Sequence, residues 1–242
     1  MSDPMSDAVD IFGDGLKVEM ASAIAVPPEV ADPVVGTDHY EAVYHDAEGQ
    51  ESRIPWHQSG PCPALVSWLN TEALSLVRPG GRVAVIGCGL GDDVAELEDR
   101  GYDVIGFDVS HTAIQWAQNR HPALAKQFVH ADLFDLPMNL RRRFDLVIEV
   151  HTIQSVHPTL RVRAAEAISA LTGPHGIALL IAYGRDDAQS LAEFDAPPYP
   201  LTVSEFSGAM EANGMFPTRQ VDDFEDDGTP PVHRLRAAFR RL

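Results

Sequence analysis

Between residues 82 and 183, short apolar runs alternate with longer polar stretches of helical period. Strands are expected over 82–87, 103–108, 127–130, 144–150 and 177–183, with helices over 92–100, 110–120 and 159–171. The first run is near-continuously apolar, as in strands covered on both faces. Strands that alternate with helices pair in parallel, because a parallel neighbour needs a crossover long enough to bring the chain back. The C-terminal stretch breaks this pattern. "TVSEFSGAMEANG" reads as a helix, and "FPTRQVDDFEDDGTPPVHRLRAAFRRL" as two strands joined by an acidic turn. The expectation is an α/β domain: a doubly wound, seven-stranded, mostly parallel sheet closed by an antiparallel C-terminal hairpin. The acidic run 222–227 is expected to be the solvated turn of that hairpin.

Upstream, residues 1–36 are rich in Asp, Ala, Pro and Val without a sustained period and are expected to form a flexible arm. Residues 37–242 make one domain, whose segment 37–63, with its aromatics and histidines, is expected to act as a lid. Pro61 and Pro63 precede a helix over 64–77, which "RPGG" ends. The 242 residues suffice for one large core. The 36 acids outnumber the 18 bases, a net charge of −18 that repels phosphate backbones and anionic membranes. Neither nucleic acid nor membrane is therefore expected as a partner. Two cysteines, Cys62 and Cys88, build no disulfide framework. With no basic leader and no long apolar run, the expected location is the cytoplasm, as a monomer or homodimer.

The segment "VIGCGLGDD" follows the first expected strand and opens a helix. Its glycines are Gly87, Gly89 and Gly91, spaced G-x-G-x-G. Such turns let the backbone approach a ligand and aim a helix N-terminus at it. A dinucleotide loop has a further glycine where this chain has Asp92. An acid there disfavours a pyrophosphate and suits a ligand ammonium, so the loop favours S-adenosylmethionine over NAD. Asp108 ends the second strand, 21 residues past Gly87, where a carboxylate can accept both hydroxyls of a ribose. Asp132 follows the third strand and is placed for an adenine amino group, with Leu133 and Phe134 beside the ring; a turn-capping role is the alternative.

The segments "VIGCGLGDD", "VIGFDVSHTAIQWA", "HADLFDLP" and "FDLVIEVHTIQSV" resemble, in order and spacing, the motifs of class I S-adenosylmethionine-dependent methyltransferases. "RIPWHQSGPCPALVSWL" is similar to the segment before the first strand in the thiopurine-methyltransferase-like branch, which methylates small thiols, halides and other soft nucleophiles. The resemblance implies a Rossmann-like methyltransferase fold and S-adenosylmethionine as cofactor. It places the cofactor at Gly87, Gly89, Asp108, Asp132 and Glu149; Cys88, Gly91, Val109, Leu133 and Trp56 complete the candidate set.

The fourth strand's end presents Glu149, His151 and Gln154. His151 is the first candidate for a general base, with a backbone-satisfied histidine as the alternative, and His57 is the second. Tyr40, Tyr44 and Trp56 are candidates for an aromatic lid or for ordinary helix packing. Cys62 is either a reactive thiol or a small buried hydrophobe. No metal-ligand spacing accompanies His39, His45 and His57, so no metal is expected. The expected activity is methyl transfer to a small molecule, a thiol or other soft nucleophile. The alternatives are an O- or N-methyltransferase, a cofactor-binding module without turnover, and an NAD-linked oxidoreductase.

Overall fold

A computed structural model describes residues 8–10, 17–19 and 37–241. The arm expected over residues 1–36 lies outside the described residues, except for two short strands. These are β1 (Ala8–Asp10) and β2 (Lys17–Glu19), paired antiparallel. Helix α1 (Thr37–Asp46) opens the lid segment. The helix expected over 64–77 is two, α2 (Pro63–Thr71) and α3 (Ala73–Leu76). Glu72 divides them with φ −120°, and its carboxylate accepts from the Arg219 guanidinium at 2.6 and 2.7 Å.

The central unit runs β3 (Arg82–Ile86), α4 (Asp92–Asp99), β4 (Asp103–Asp108), α5 (His111–Arg120), β5 (Phe128–His130), β6 (Phe144–Val150), α6 (Arg161–Leu171) and β7 (Thr172–Tyr183). After it come α7 (Val203–Glu211), β8 (Met215–Pro217), β9 (Asp222–Glu225) and β10 (His233–Arg241). The sheet order is β5-β4-β3-β6-β7-β10-β8, seven strands, and β9 adds an eighth by pairing with β10. Strands β3 to β7 are mutually parallel, and β10 is antiparallel to all its neighbours. The chain winds outward from β3 to β5 and then restarts at β6 on the other side of β3. That reversal opens a crevice at the carboxyl ends of β3 and β6.

Alternate residues of a strand face opposite sides, which explains the continuous apolar runs. Ala84 and Ile86 of β3 join Phe144, Ile168 and Phe206 on one face. Val83 and Val85 join Leu65, Trp68, Val94 and Leu97 on the other. Each such buried side chain contributes roughly 1.5–3 kcal/mol relative to exposure.

The acidic run is not a simple solvated turn. Asp222–Glu225 is strand β9, in register with the first half of β10. Asp222 accepts from Arg236 at 2.8 and 2.9 Å and from Arg219 at 2.7 Å. Asp226 accepts from Arg234 at 2.8 Å. The arginines of β10, set into the middle of a sheet, need carboxylate partners, and the acidic run supplies them.

Candidate active site

The turn after β3 carries three left-handed glycines: Gly87 at φ +61°, Gly89 at +51° and Gly91 at +88°. Two are further confined by packing. A Cβ on Gly87 would overlap the Thr152 hydroxyl, and one on Gly91 would sit 2.6 Å from the Phe128 ring. Cys88 is buried, and its thiol is pushed well up by that burial and by nearby Asp108.

Asp108 closes β4 and ties the loop to α5. One oxygen accepts from the Gly89 N–H at 2.9 Å and the other from the Ser110 N–H at 2.9 Å. Burial raises its pKa, against the pull of these bonds. Val109 follows it, and its carbonyl lies 2.9 Å from His130 Nε2. Asp132 accepts from the Phe134 N–H at 2.8 Å, so one of its oxygens caps the following turn. Leu133 packs into the core.

Asp92 does not stand as an unpaired acid at the helix N-terminus. Its carboxylate accepts from Arg120 Nε at 3.2 Å. The adjacent Asp93 accepts from the Cys62 N–H at 2.7 Å, and burial pushes its pKa up to about 6. Cys62 is itself buried and packs with α2, as a small hydrophobe would.

Beyond β6, Glu149 is fully buried. One carboxylate oxygen accepts from the Ile153 N–H at 2.9 Å and the Thr152 N–H at 2.5 Å. The other has no partner among the described residues. Burial pushes the pKa of this acid up to about 7. Gln154 is structural: its side-chain oxygen accepts from the Tyr183 N–H, and its carbonyl from the Tyr199 N–H at 2.7 Å.

His151 occupies the left-handed region at φ +64°. The Arg234 guanidinium lies 2.6 Å from its Nε2. A guanidinium has no lone pair to offer, so Nε2 accepts and the ring proton sits on Nδ1. Burial, reinforced by Arg234, pushes the pKa down to about 3. The Nε2 lone pair that a general base would use is thus engaged by Arg234. His57 lies 3.4 Å from Glu51.

The lid segment crosses this site. Tyr40 donates to the Ser155 carbonyl at 2.6 Å, and Glu41 accepts from the Ser110 hydroxyl at 2.7 Å. Trp56 Nε1 donates to the Tyr44 hydroxyl at 3.0 Å, and both aromatics line the cleft. Tyr44 is buried and Trp56 half exposed, so packing and lining are combined in one cluster.

A cleft and a neighbouring pocket are formed among the described residues. A cleft of about 110 Å³ is lined by the glycine loop, Trp56, His57, Asp93 and His151. A pocket of about 350 Å³ is lined by Tyr183, Phe194, Pro198, Pro200, Val232 and His233. Glu41, Asp93 and Arg234 join the site without a sequence expectation. Each acts on a partner at least 31 residues away, and only the G-D-D doublet carried any local signal. Among the described residues no His, Cys, Asp and Glu cluster is placed to hold a metal ion, and no helix is long and apolar enough to cross a membrane.

Known proteins resemble this chain in sequence and in fold. The family model of thiopurine S-methyltransferase matches residues 45–239. Thiocyanate methyltransferase 1 of Arabidopsis thaliana is 30% identical over 171 residues, 69% of this chain and 70% of its own. A protein whose solved structure concerns conversion of a disulfide bond into a thioacetal group during echinomycin biosynthesis superposes with a TM-score of 0.66. It is 28% identical, with 85% of this chain and 92% of the other covered. The fold is also that of the Burkholderia thailandensis 1,6-didemethyltoxoflavin-N1-methyltransferase, solved with its substrate and S-adenosylhomocysteine. There the TM-score is 0.65 at 20% identity, with 93% of this chain and 95% of the other covered. The chain belongs to the thiopurine S-methyltransferase family and is an S-adenosylmethionine-dependent methyltransferase.

Proposed function

We propose that this enzyme methylates the sulfur of a small thiol. The observation that carries the reading is the His151–Arg234 pair at the end of β6, where the expected base is neutral and already bonded. A hydroxyl acceptor would need a base there, whereas a thiol of ordinary pKa near ~8.5 ionises with little help. The names of the relatives also concern sulfur: thiocyanate, thiopurine S-methylation, and a disulfide converted to a thioacetal.

The residues present fit the cofactor. Asp108 uses one lone pair on each oxygen for the loop, and a carboxylate has about four such sites, leaving room for two ribose hydroxyls. The unpartnered Glu149 oxygen is a buried acceptor suited to an ammonium. Gly87, Cys88, Gly89 and Gly91 would lie along the cofactor's amino-acid end. Val109, Asp132 and Leu133 would lie along the adenosine, with Trp56 over the outer face. When bound, the sulfonium supplies a methyl group already activated for transfer. The chain's own contribution is then to hold the acceptor in line, an effect worth roughly 7–11 kcal/mol, and to exclude water. The two free cysteines and the acidic surface support a cytoplasmic enzyme acting on small molecules.

The test is incubation with methyl-labelled cofactor and a panel of thiols, phenols, amines, thiocyanate and halides. Labelled thioethers are the expected product. Labelled ethers or amines in preference to thioethers would move the assignment to an O- or N-methyltransferase.

A further inference from the structure

We propose that Glu41 is a positioning residue for the cofactor: from helix α1 it sets the Asp108 carboxylate in the orientation that receives the ribose hydroxyls. This rests on the cofactor placement above and adds to it a residue outside the motifs that carry the cofactor.

Asp108 stands between two N–H donors. One belongs to Gly89 and the other to Ser110, each at 2.9 Å and each on its own carboxylate oxygen. The terminal torsion of an aspartate is broad and roughly twofold, so these two bonds decide which lone pairs remain for a ligand. Both donors sit in connections between a strand and a helix, and Asp108 is only as fixed as they are. Helix α1 touches both.

At Ser110 the contact is Glu41. Its carboxylate accepts from the Ser110 hydroxyl at 2.7 Å, the Thr112 N–H at 3.1 Å and the Thr112 hydroxyl at 2.5 Å. Ser110 is fully buried and is the N-cap of α5, where its oxygen accepts from the Ala113 N–H. A hydroxyl has a single proton to donate, and Glu41 takes it. The Thr112 N–H is one of the donors that a helix N-terminus leaves unpaired, and a negative charge is favourable there. Ser110 is thereby held by three bonds, to Asp108, Ala113 and Glu41.

At Gly89 the contact is Tyr44, three residues after Glu41 and therefore on the same face of α1. Its hydroxyl lies 3.1 Å from the point where a Cβ on Gly89 would stand. Tyr44, Ala47 and Ile54 of the lid segment pack with Leu90 and Ala113 in a cluster apart from the two main cores. Leu90 follows Gly89, and Ala113 is the residue bonded to Ser110. The apolar patch that docks α1 thus abuts the same two ends of the bracket around Asp108. A carboxylate serving only as a helix cap would touch α5 alone. This one is carried by the helix that also presses on Gly89.

The test is a double-mutant cycle on S-adenosylhomocysteine affinity, measured by calorimetry on the full chain. Glu41→Ala should weaken binding by about tenfold, the low end for a bond to a charged group. Glu41→Gln keeps an acceptor oxygen for Ser110 but loses the charge, and should recover part of that loss. In an Asp108→Ala background, Glu41→Ala should weaken binding by less than about twofold, because its effect runs through the carboxylate already removed. The 2′,3′-dideoxy analogue of S-adenosylhomocysteine, with no hydroxyls for Asp108, should bind wild type and Glu41→Ala alike. The proposal is overturned if the tenfold loss persists in the Asp108→Ala background or with the dideoxy analogue, either of which would make Glu41 a general anchor of the lid. It is equally overturned if folded Glu41→Ala binds S-adenosylhomocysteine as tightly as wild type. Should Glu41→Ala fail to fold, Thr112→Val removes only one of the three bonds and is judged by the same cycle: a loss of affinity that vanishes in the Asp108→Ala background supports the proposal, and any other result overturns it. Wild-type affinity in Asp108→Ala alone would instead overturn the cofactor placement on which the proposal rests.

Discussion

Asp108 and Asp132, on the β3–β5 side of the cleft, accept from backbone N–H groups two residues further along the chain. On the β6–β10 side, Glu205, Asp222 and Asp226 accept in addition from guanidinium groups between three and 44 residues away. The first arrangement shapes loops through their backbone N–H groups, and Asp108 also ties in Gly89, 19 residues earlier. The second staples separate elements together, and its charges reach a pocket wall. A cofactor common to many acceptors suits the first kind of construction.

That division can be broken by experiment. The largest effect is expected from Phe206→Ala, since Phe206 is fully buried beneath the β6–β10 side and packs 5.8 Å from Phe239. Stability should fall by about 3–5 kcal/mol in chemical denaturation. Cofactor affinity in the folded fraction should not change, and a parallel loss of affinity would show that the two sides are one unit. Asp108→Ala should do the reverse. It removes charge-assisted bonds of roughly 1.5–3 kcal/mol each, so calorimetric affinity for S-adenosylhomocysteine should fall at least tenfold.

Glu149 sits on the seam between the two sides and gives a pH signature. Its folded pKa, about 7, lies above the ordinary carboxylate value, so the folded state holds a proton that the unfolded state has lost. Its contribution to stability is present below the unfolded pKa and is lost as pH rises towards the folded one. Glu149→Gln should therefore match wild type near pH 4 and be about 1–3 kcal/mol more stable at pH 8. Equal pH dependence in both proteins would mean that burial does not perturb this acid. The smallest effect is expected at His151. With a thiol acceptor, His151→Ala should lower kcat by less than about tenfold, because no base is removed. A loss of a hundredfold, with a rate that tracks a group titrating near neutrality, would restore the histidine as base.

The same division separates what could be read in advance from what could not. The alternation of β3 to β7, the glycine turn and Asp108 were legible because each is written in a few adjacent residues. The N-cap of α5 is equally local: the Ser110 hydroxyl accepts from the Ala113 N–H at 3.0 Å. The pairing of Asp92 was not legible because its partner, Arg120, lies on another helix. The engagement of His151 was not legible because its partner, Arg234, comes from β10, 83 residues later. The acidic run was read as turn because acids are poor strand formers. Its strand state depends on the arginines it meets across the ladder, and no local pattern records them.

Strand β10 lies inside the sheet, with β7 on one side and β8 and β9 on the other. During synthesis, β3 to β7 can assemble as the chain emerges, but the partner of β7 does not exist until residues 233–240 have been made. For that interval β7 is a bare edge bearing Ile177, Leu179, Leu180 and Ile181, all of which end up buried. Unpaired apolar edges of this kind recruit other chains. The nascent chain is thus aggregation-prone until β10 has been made. The acids of β9, which reach the ribosome's exit before β10 does, place negative charge beside that edge during the wait.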